Sequence, residues 1–306
     1  MGLENIRVVY GDSNGKLDIE KESGEAHRLL DVYIECSLLG RGDYMEVKVG
    51  TKGLLRIPLR TANWCLVRRS NFCLDGVSIF GFLRKLFGED VFVEADENED
   101  IVIRVYDGNG NPKDIEGYSV AIYEVIEPGI DKTKLLHSQC EDYIIMPRIY
   151  QETEVTGDNA SIDTTVSLSN VSQMDGLPMI KDEYVVPAGT KFVLKALICD
   201  GYFYSSGTKS YDKNIVHIKK DTFELFSPLN MRGIHLENPV ENSPTPYMNI
   251  TGFDLYTGMY FDCQDFVFEE GTEIGLTAEI KGSGTGTGIT TMIYTDVIMV
   301  MLKTKM

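Results

Sequence analysis

The chain is short of the residue types on which most catalysis and nucleic-acid binding depend. Its 306 residues include four histidines, one tryptophan and six cysteines. The histidines (His27, His137, His217 and His235) stand far apart, and no HExxH or zinc-ribbon spacing joins them. The cysteines (Cys36, Cys65, Cys73, Cys140, Cys199 and Cys263) form no CxxC pair, and several lie in apolar runs, where a free thiol behaves as a small hydrophobe. That usage predicts synthesis in a reducing cytoplasm, not a disulfide framework. No GxSxG elbow occurs. Basic residues are scarce, 29 against 47 acidic, and the net charge of −18 excludes a general nucleic-acid binder because phosphates would be repelled over most of the surface. Apolar runs such as "DVIMVML" are too short to span a bilayer, and the start "MGLENIRVVYGD" has neither the basic nor the apolar region of a secretory signal. These absences predict a protein that is not an enzyme and has no cofactor, metal site or transmembrane segment.

What the sequence does hold is a period of two. "VYIECSLL", "LLRIPLR", "DIVIRVYD", "YSVAIYEV", "TKFVLKALI", "NIVHIKKDTFELF" and "EIGLTAEI" alternate apolar and polar residues. Turn clusters such as "YGDSNGK", "DGNGNPKD", "SSGTKSYDKN" and "KGSGTGTG" separate them. Strands this numerous predict an all-β protein of sandwich architecture. One stretch departs from the pattern. "SIFGFLRKLFG" sets Ile79, Phe82, Leu83 and Leu86 at helical spacing with Gly88 as a C-cap, which predicts a helix over about 78–87. A weaker helical candidate lies around "GFDLYTGMY".

Two repeats suggest the layout. "AGTKFVLKALI" (188–198) and "EGTEIGLTAEI" (270–280) share Gly, Thr, Leu, Ala and Ile in step. "DIVIRVYDGNGNPKDIEGYSVAIYEV" (100–125) and "EIGLTAEIKGSGTGTGITTMIYTDVIMVML" (273–302) each read as a strand, a turn-rich link and a second long strand. The second pair predicts two tandem β-sandwiches, each closed by a comparable hairpin. Pro128 and Gly129 interrupt strand pairing and place the boundary near 130, giving sandwiches over 1–130 and 131–306.

Several short motifs suggest chemistry and fail on inspection. "DGNGNP" offers Asp107, Asn109 and Asn111 at calcium-loop spacing, but an EF-hand needs Gly and Glu where Pro112 and Tyr118 stand. "GSGTGTG" (282–288) lacks the Lys-Ser/Thr and the helix of a phosphate loop, and reads as a flexible link between strands. The Arg-Gly-Asp triplet in "GRGDY" (40–44) suits a turn, and the sequons at Asn159, Asn170 and Asn249 match chance.

Charge patterning is more distinctive. Val47 to Leu74 contains no acid but holds Lys48, Lys52, Arg56, Arg60, Arg68 and Arg69. In "LLRIPLR", Leu55, Ile57 and Leu59 point one way and Arg56 and Arg60 the other, and Pro58 marks an edge strand. Downstream, "EDVFVEADENED" (89–100) carries seven acids in twelve residues. The two blocks read either as solvated faces or as complementary subunit contacts, with Arg56, Arg60, Arg68 and Arg69 as candidate interface residues. Packaged nucleic acid is the other candidate partner for those arginines.

Two successive sandwiches, a short helix before the closing strands of the first, and no catalytic motif together resemble the double jelly-roll capsid proteins of viruses. That resemblance implies two rolls of two four-stranded sheets each, assembly as a homotrimer within a larger shell, contacts with other virion proteins, and a place in the virion. It implies no functional residue. "IRVYDGNGNPKDIEGYSVAIYEV" also resembles the immunoglobulin-like modules of phage baseplates and adhesins, which implies a receptor-binding or baseplate role. A carbohydrate-binding or hydrolytic sandwich is a third class, and would need an aromatic-lined groove.

Overall fold

The computed structural model describes residues 5–12, 16–34, 43–59, 79–88, 90–114, 119–137, 140–167, 169–170, 184–221, 223–224, 236–237, 249–250 and 261–306. Described residues as far as Met146, with Leu302–Lys305, form one compact unit, and those from Pro147 to Met301 form another. The segment that follows Pro128 and Gly129 thus groups with the first unit as far as Met146.

In chain order the first unit contains β1 (Ile6–Tyr10), β2 (Leu17–Ile19), β3 (Ala26–Tyr33), β4 (Tyr44–Val49), β5 (Lys52–Pro58), α1 (Ile79–Phe87), β6 (Val93–Ala95), β7 (Ile101–Tyr106), the two-residue β8 (Pro112–Lys113), β9 (Val120–Ile126) and β10 (Tyr143–Ile145). Two sheets are built from them, β1-β9-β3-β6 and β2-β7-β4-β5. Counting the eight principal strands from the N-terminus and setting aside β8 and β10, the orders are 1-8-3-6 and 2-7-4-5. That is a jelly roll: consecutive strands cross between the sheets except at the fourth and fifth, which form a hairpin.

The second unit repeats it. Its strands are β11 (Arg148–Gly157), β12 (Ser161–Ser167), β13 (Ser169–Asn170), β14 (Tyr184–Val185), β15 (Thr190–Ser205), β16 (Thr208–Lys220), β17 (Phe223–Glu224), β18 (Leu236–Glu237), β19 (Asn249–Ile250), β20 (Phe261–Phe268), β21 (Glu273–Thr285) and β22 (Ile289–Lys305). β11-β22-β15-β20 and β12-β21-β16-β17 again run 1-8-3-6 and 2-7-4-5, with β13 and β14 added beside β11 and β21. The chain is therefore an all-β protein of two successive jelly rolls, and α1 is the only α-helix among the described residues.

This topology corrects two sequence expectations. The strands taken as closing hairpins, β7 with β9 and β21 with β22, lie in opposite sheets. The strand order also differs from an immunoglobulin-like sandwich, in which the first two strands share a sheet, whereas β1 and β2 do not. Alternation along a strand fixes which side faces the core, but it is blind to the sheet in which the strand lies.

In the first roll, Leu17, Val47, Ile57, Val93, Ile101 and Ile103 are fully buried between the sheets. Gly50, with φ of 57°, takes the first of two loop positions between β4 and β5, as a type II′ hairpin requires. Pro58 ends β5, an edge strand, where its missing N–H costs no ladder bond. Helix α1 buries Phe80, Phe82 and Leu83 and packs against β3, while Leu86 is half-buried. Phe80 replaces Leu86 on the apolar face the spacing suggests. Gly88, at φ 114°, ends the helix by donating to the Arg84 carbonyl at 2.8 Å. β3 carries a bulge at Leu30, between the pairs Leu29–Tyr123 and Asp31–Ile122. The carbonyl of Leu30 accepts from Arg84 at 3.4 Å, which ties the bulge to the helix. The weaker helical candidate at 252–260 lies outside the described residues.

The second roll tapers. The inward residues of β21 run Ile274, Leu276, Ala278, Ile280, Gly282, Gly284, all buried. Side chains shrink to nothing at the end where the facing strands bring Phe203, Ser205, Thr291 and Ile293 across. A Cβ on Gly282 would lie 2.5 Å from the Phe203 ring, and one on Gly284 would overlap Ser205 Oγ and come within 2.9 Å of Thr291 Oγ1. Thr291 Oγ1 closes this narrow end by bonding Ser205 Oγ and the Ala160 carbonyl, each at 3.1 Å. "GSGTGTG" is thus strand as far as Thr285, not the flexible link its glycines suggested.

The repeated turns have a local cause within the second roll. Pro187–Thr190 and Glu269–Thr272 are both type II turns, with Gly189 at φ 70° and Gly271 at φ 77° in the position that needs a left-handed residue. They start β15 and β21 at the same end of the roll and are bonded together. Val186 exchanges backbone bonds of 2.9 Å with Gly271 and Thr272, and Gly189 N–H donates to Glu270 Oε2 at 2.8 Å.

Gly284→Ala is expected to destabilise the second roll by about 1–3 kcal/mol through overpacking, lowering its melting temperature by several degrees. Gly24→Ala has open space around the new methyl. Its cost comes only from the φ of 81°. Calorimetry of the two variants compares them directly.

Candidate interaction surfaces

The basic island places Lys48 and Arg56 on the outer face of β2-β7-β4-β5. Alternation in β4 turns Met45, Val47 and Val49 inward, and Tyr44, Glu46 and Lys48 outward. Register then sets Glu46 between Arg56 of β5 and Arg104 of β7. Glu46, 2% exposed, accepts from Arg56 Nε at 2.6 Å and pairs with Lys48 Nζ at 2.6 Å. Arg104 turns to Asp18, bonding both carboxylate oxygens. These bonds hold the Lys48 ammonium and the Arg104 guanidinium above their ordinary pKa ranges, through Glu46 and Asp18 respectively. Tyr44 stacks on Tyr106 at 5.3 Å, with Arg56 over the first ring at 5.8 Å and Lys48 over the second at 5.9 Å. Nearby, Asp43 of the Arg-Gly-Asp triplet is buried against Lys113 Nζ at 2.6 Å.

Arg56 is thus committed to a carboxylate of its own sheet. Arg60, Arg68 and Arg69 lie outside the described residues. Lys52 donates to the Cys140 carbonyl at 2.6 Å and caps the Tyr143 ring at 4.9 Å.

The acidic block is likewise used within the first roll. Glu94, 2% exposed, accepts from Arg28 Nε at 2.7 Å. Asp96 accepts from Gly129 N–H, Glu97 from Gly24 N–H, Glu99 from Asp96 N–H and Asp100 from Lys21 N–H, at 2.7–3.2 Å. These carboxylates pin loops whose backbone donors would otherwise go unmet. Asp107 does the same in the former calcium candidate, accepting from Asn109 N–H, Asn111 N–H and Asn111 Nδ2 at 2.8–2.9 Å, and those bonds hold its carboxyl below the ordinary range. Among the described residues no three His, Cys, Asp or Glu side chains gather as metal ligands.

The surface that sequence reasoning missed is on the other sheet. β1 presents Ile6, Val8 and Tyr10 outward at 41%, 46% and 64% exposure, and β3 adds Tyr33 at 44%. Register builds rows: Tyr10–Val120–Tyr33, then Val8–Ile122–Asp31, then Ile6–Glu124–Arg28–Glu94. In the last row Arg28 joins both carboxylates and lies over the Phe92 ring at 4.9 Å. The signal was the apolar residue at every second place of "IRVVY", on a strand whose inner side also carries Val9.

No protein family and no curated protein matches the sequence. Among solved structures, the chain is similar to the crystal structure of the major capsid protein P2 from bacteriophage PM2. The match has 10% identity and a TM-score of 0.35, and covers 96% of this chain and 97% of that one. At that distance no residue role transfers.

Arg56→Glu would set a second carboxylate against buried Glu46. The expected loss is about 2 kcal/mol or more, with Lys48 alone left to hold the pair. A melt should fall by several degrees, and Arg56→Lys should recover part of it. A second expectation concerns acid. Burial pushes His27 and His137, 1% and 2% exposed, below the ordinary imidazole pKa of 6.5, against a smaller opposite pull from nearby carboxylates. The folded first roll therefore binds fewer protons than its unfolded chain. Its stability should be flat above about pH 7 and fall as pH drops through about 6.5. Thermal melts in a buffer series check the sign.

Proposed function

We propose that the chain is a virion structural protein: a capsid subunit that associates with copies of itself, as trimers, into a larger shell. The observation that carries this reading is the strand order. The 1-8-3-6 and 2-7-4-5 sheets occur twice in one chain, and the helix of the first roll falls between its fifth and sixth strands. Jelly rolls also serve lectins and cupins, whose sites lie in the roll. Two complete rolls in succession match the layout of the double jelly-roll shell proteins. The reading assigns the chain no catalysis, and the three described histidines are buried, at 1%, 2% and 7% exposure. Synthesis in the host cytoplasm and residence in the virion belong to the same proposal.

Charge bears on assembly. At −18 the copies repel one another, so their contacts must be neutral, locally complementary or bridged by cations. The described part of the basic island is matched within its own roll; Arg60, Arg68 and Arg69, outside the described residues, stand as the candidates for a neighbour's acids or for packaged nucleic acid. Sedimentation velocity at micromolar concentration is expected to show a species of three times the 34.3 kDa chain mass, strengthened by moderate salt as repulsion is screened. A chain that stayed monomeric at every concentration and salt would favour the carbohydrate-binding class instead.

A further inference from the structure

We propose that the outer face of β1, β9 and β3 is the surface on which a neighbouring copy of this chain docks. The inference rests on the capsid-subunit reading and adds to it the place of contact. The face is three strands wide, and its two successive rows, Tyr10–Val120–Tyr33 and Val8–Ile122–Asp31, are apolar but for Asp31. Ile6, Val8, Tyr10 and Tyr33 leave roughly 400 Å² of apolar surface in water, within the range of the largest patch on an ordinary monomer, where such patches are often functional. A stable interface takes about 800 Å² from each partner, with an apolar centre and a polar rim. The two rows supply such a centre, and the Arg28–Glu94–Glu124 group supplies one side of the rim with its charges already paired.

Electrostatics selects the occupant. A second copy brings another −18, and most of the surface opposes its approach. In the two apolar rows the only ionised side chain is Asp31, and its Oδ1 accepts the Val32 N–H at 3.0 Å. Here like-charged copies meet at the least Coulomb cost and the largest gain from burial. A sugar would find few hydrogen-bonding groups between the two tyrosines, and nucleic acid would find no cation in these two rows. β1 is also an edge strand, so the apolar rows continue to the margin of the sheet, where a neighbouring protein can reach them.

The test is sedimentation velocity of the full chain carrying Val8→Lys and Tyr10→Lys together, beside the wild type. Both side chains point to solvent, and two added lysines reduce the net charge, so lost association could not be blamed on repulsion. The expected result is a folded monomer, by circular dichroism and melting, at concentrations where the wild type is oligomeric. The midpoint of association should rise at least about a hundredfold. If the double variant fails to fold, Tyr33→Ser on β3 makes the same test with a smaller shift in the same direction. A folded variant that associates like the wild type would overturn the assignment alone, leaving the face to a partner other than this chain. A wild type that never associates would overturn the capsid-subunit reading with it.

Discussion

Each roll depends on a strand that is made last and placed in the middle. β9 lies between β1 and β3, with Val8 opposite Ile122 and Val32 opposite Ala121, and β22 lies between β11 and β15. Until that strand arrives, the first and third strands have no ladder between them and the sheet is open at its centre. Most contacts are therefore long-range in sequence, which makes folding slow and cooperative within a roll. In β22, Val297, Ile298, Met299, Val300 and Met301 are buried at 0–1%, on both faces of the strand.

That constraint organises the rest. Once the centre is fixed, the loops at the ends of the roll must find donors and acceptors, and the acidic side chains supply them. Asp96, Glu97, Glu99 and Asp100 bond backbone N–H groups, and Glu46 and Glu94 gather Arg56, Lys48 and Arg28. A chain at −18 thus has much of its described charge committed inside the first roll. Among the described residues of the first roll, the large apolar side chains that stay exposed, Ile6, Val8, Tyr10 and Tyr33, lie on the face of β1 and β3.

Much of this was legible in residue order. Alternation gave the all-β class, the helical spacing of Phe82 and Leu83 gave α1, and Pro58 gave an edge strand. Other features depend on register, which no single strand carries. Glu46 reads as one more outward polar residue until β5 and β7 set Arg56 and Arg104 on either side of it. Gly282 and Gly284 read as flexible until Phe203, Ser205 and Thr291 are brought across from the facing sheet. The turns repeated at Gly189 and Gly271 both belong to the second roll, and neither segment alone carries the sign that they are bonded to each other. Of the four candidate interface arginines, Arg56 is held by its own sheet and the other three lie outside the described residues.

Cryo-electron microscopy of the purified, concentrated protein can decide whether two rolls in one chain make a shell subunit, as we propose. Three chains of two rolls each should give class averages of a six-lobed, pseudo-hexagonal ring, with threefold symmetry on closer alignment. Averages showing only separate two-lobed particles, at every concentration at which the protein stays in solution, would contradict it.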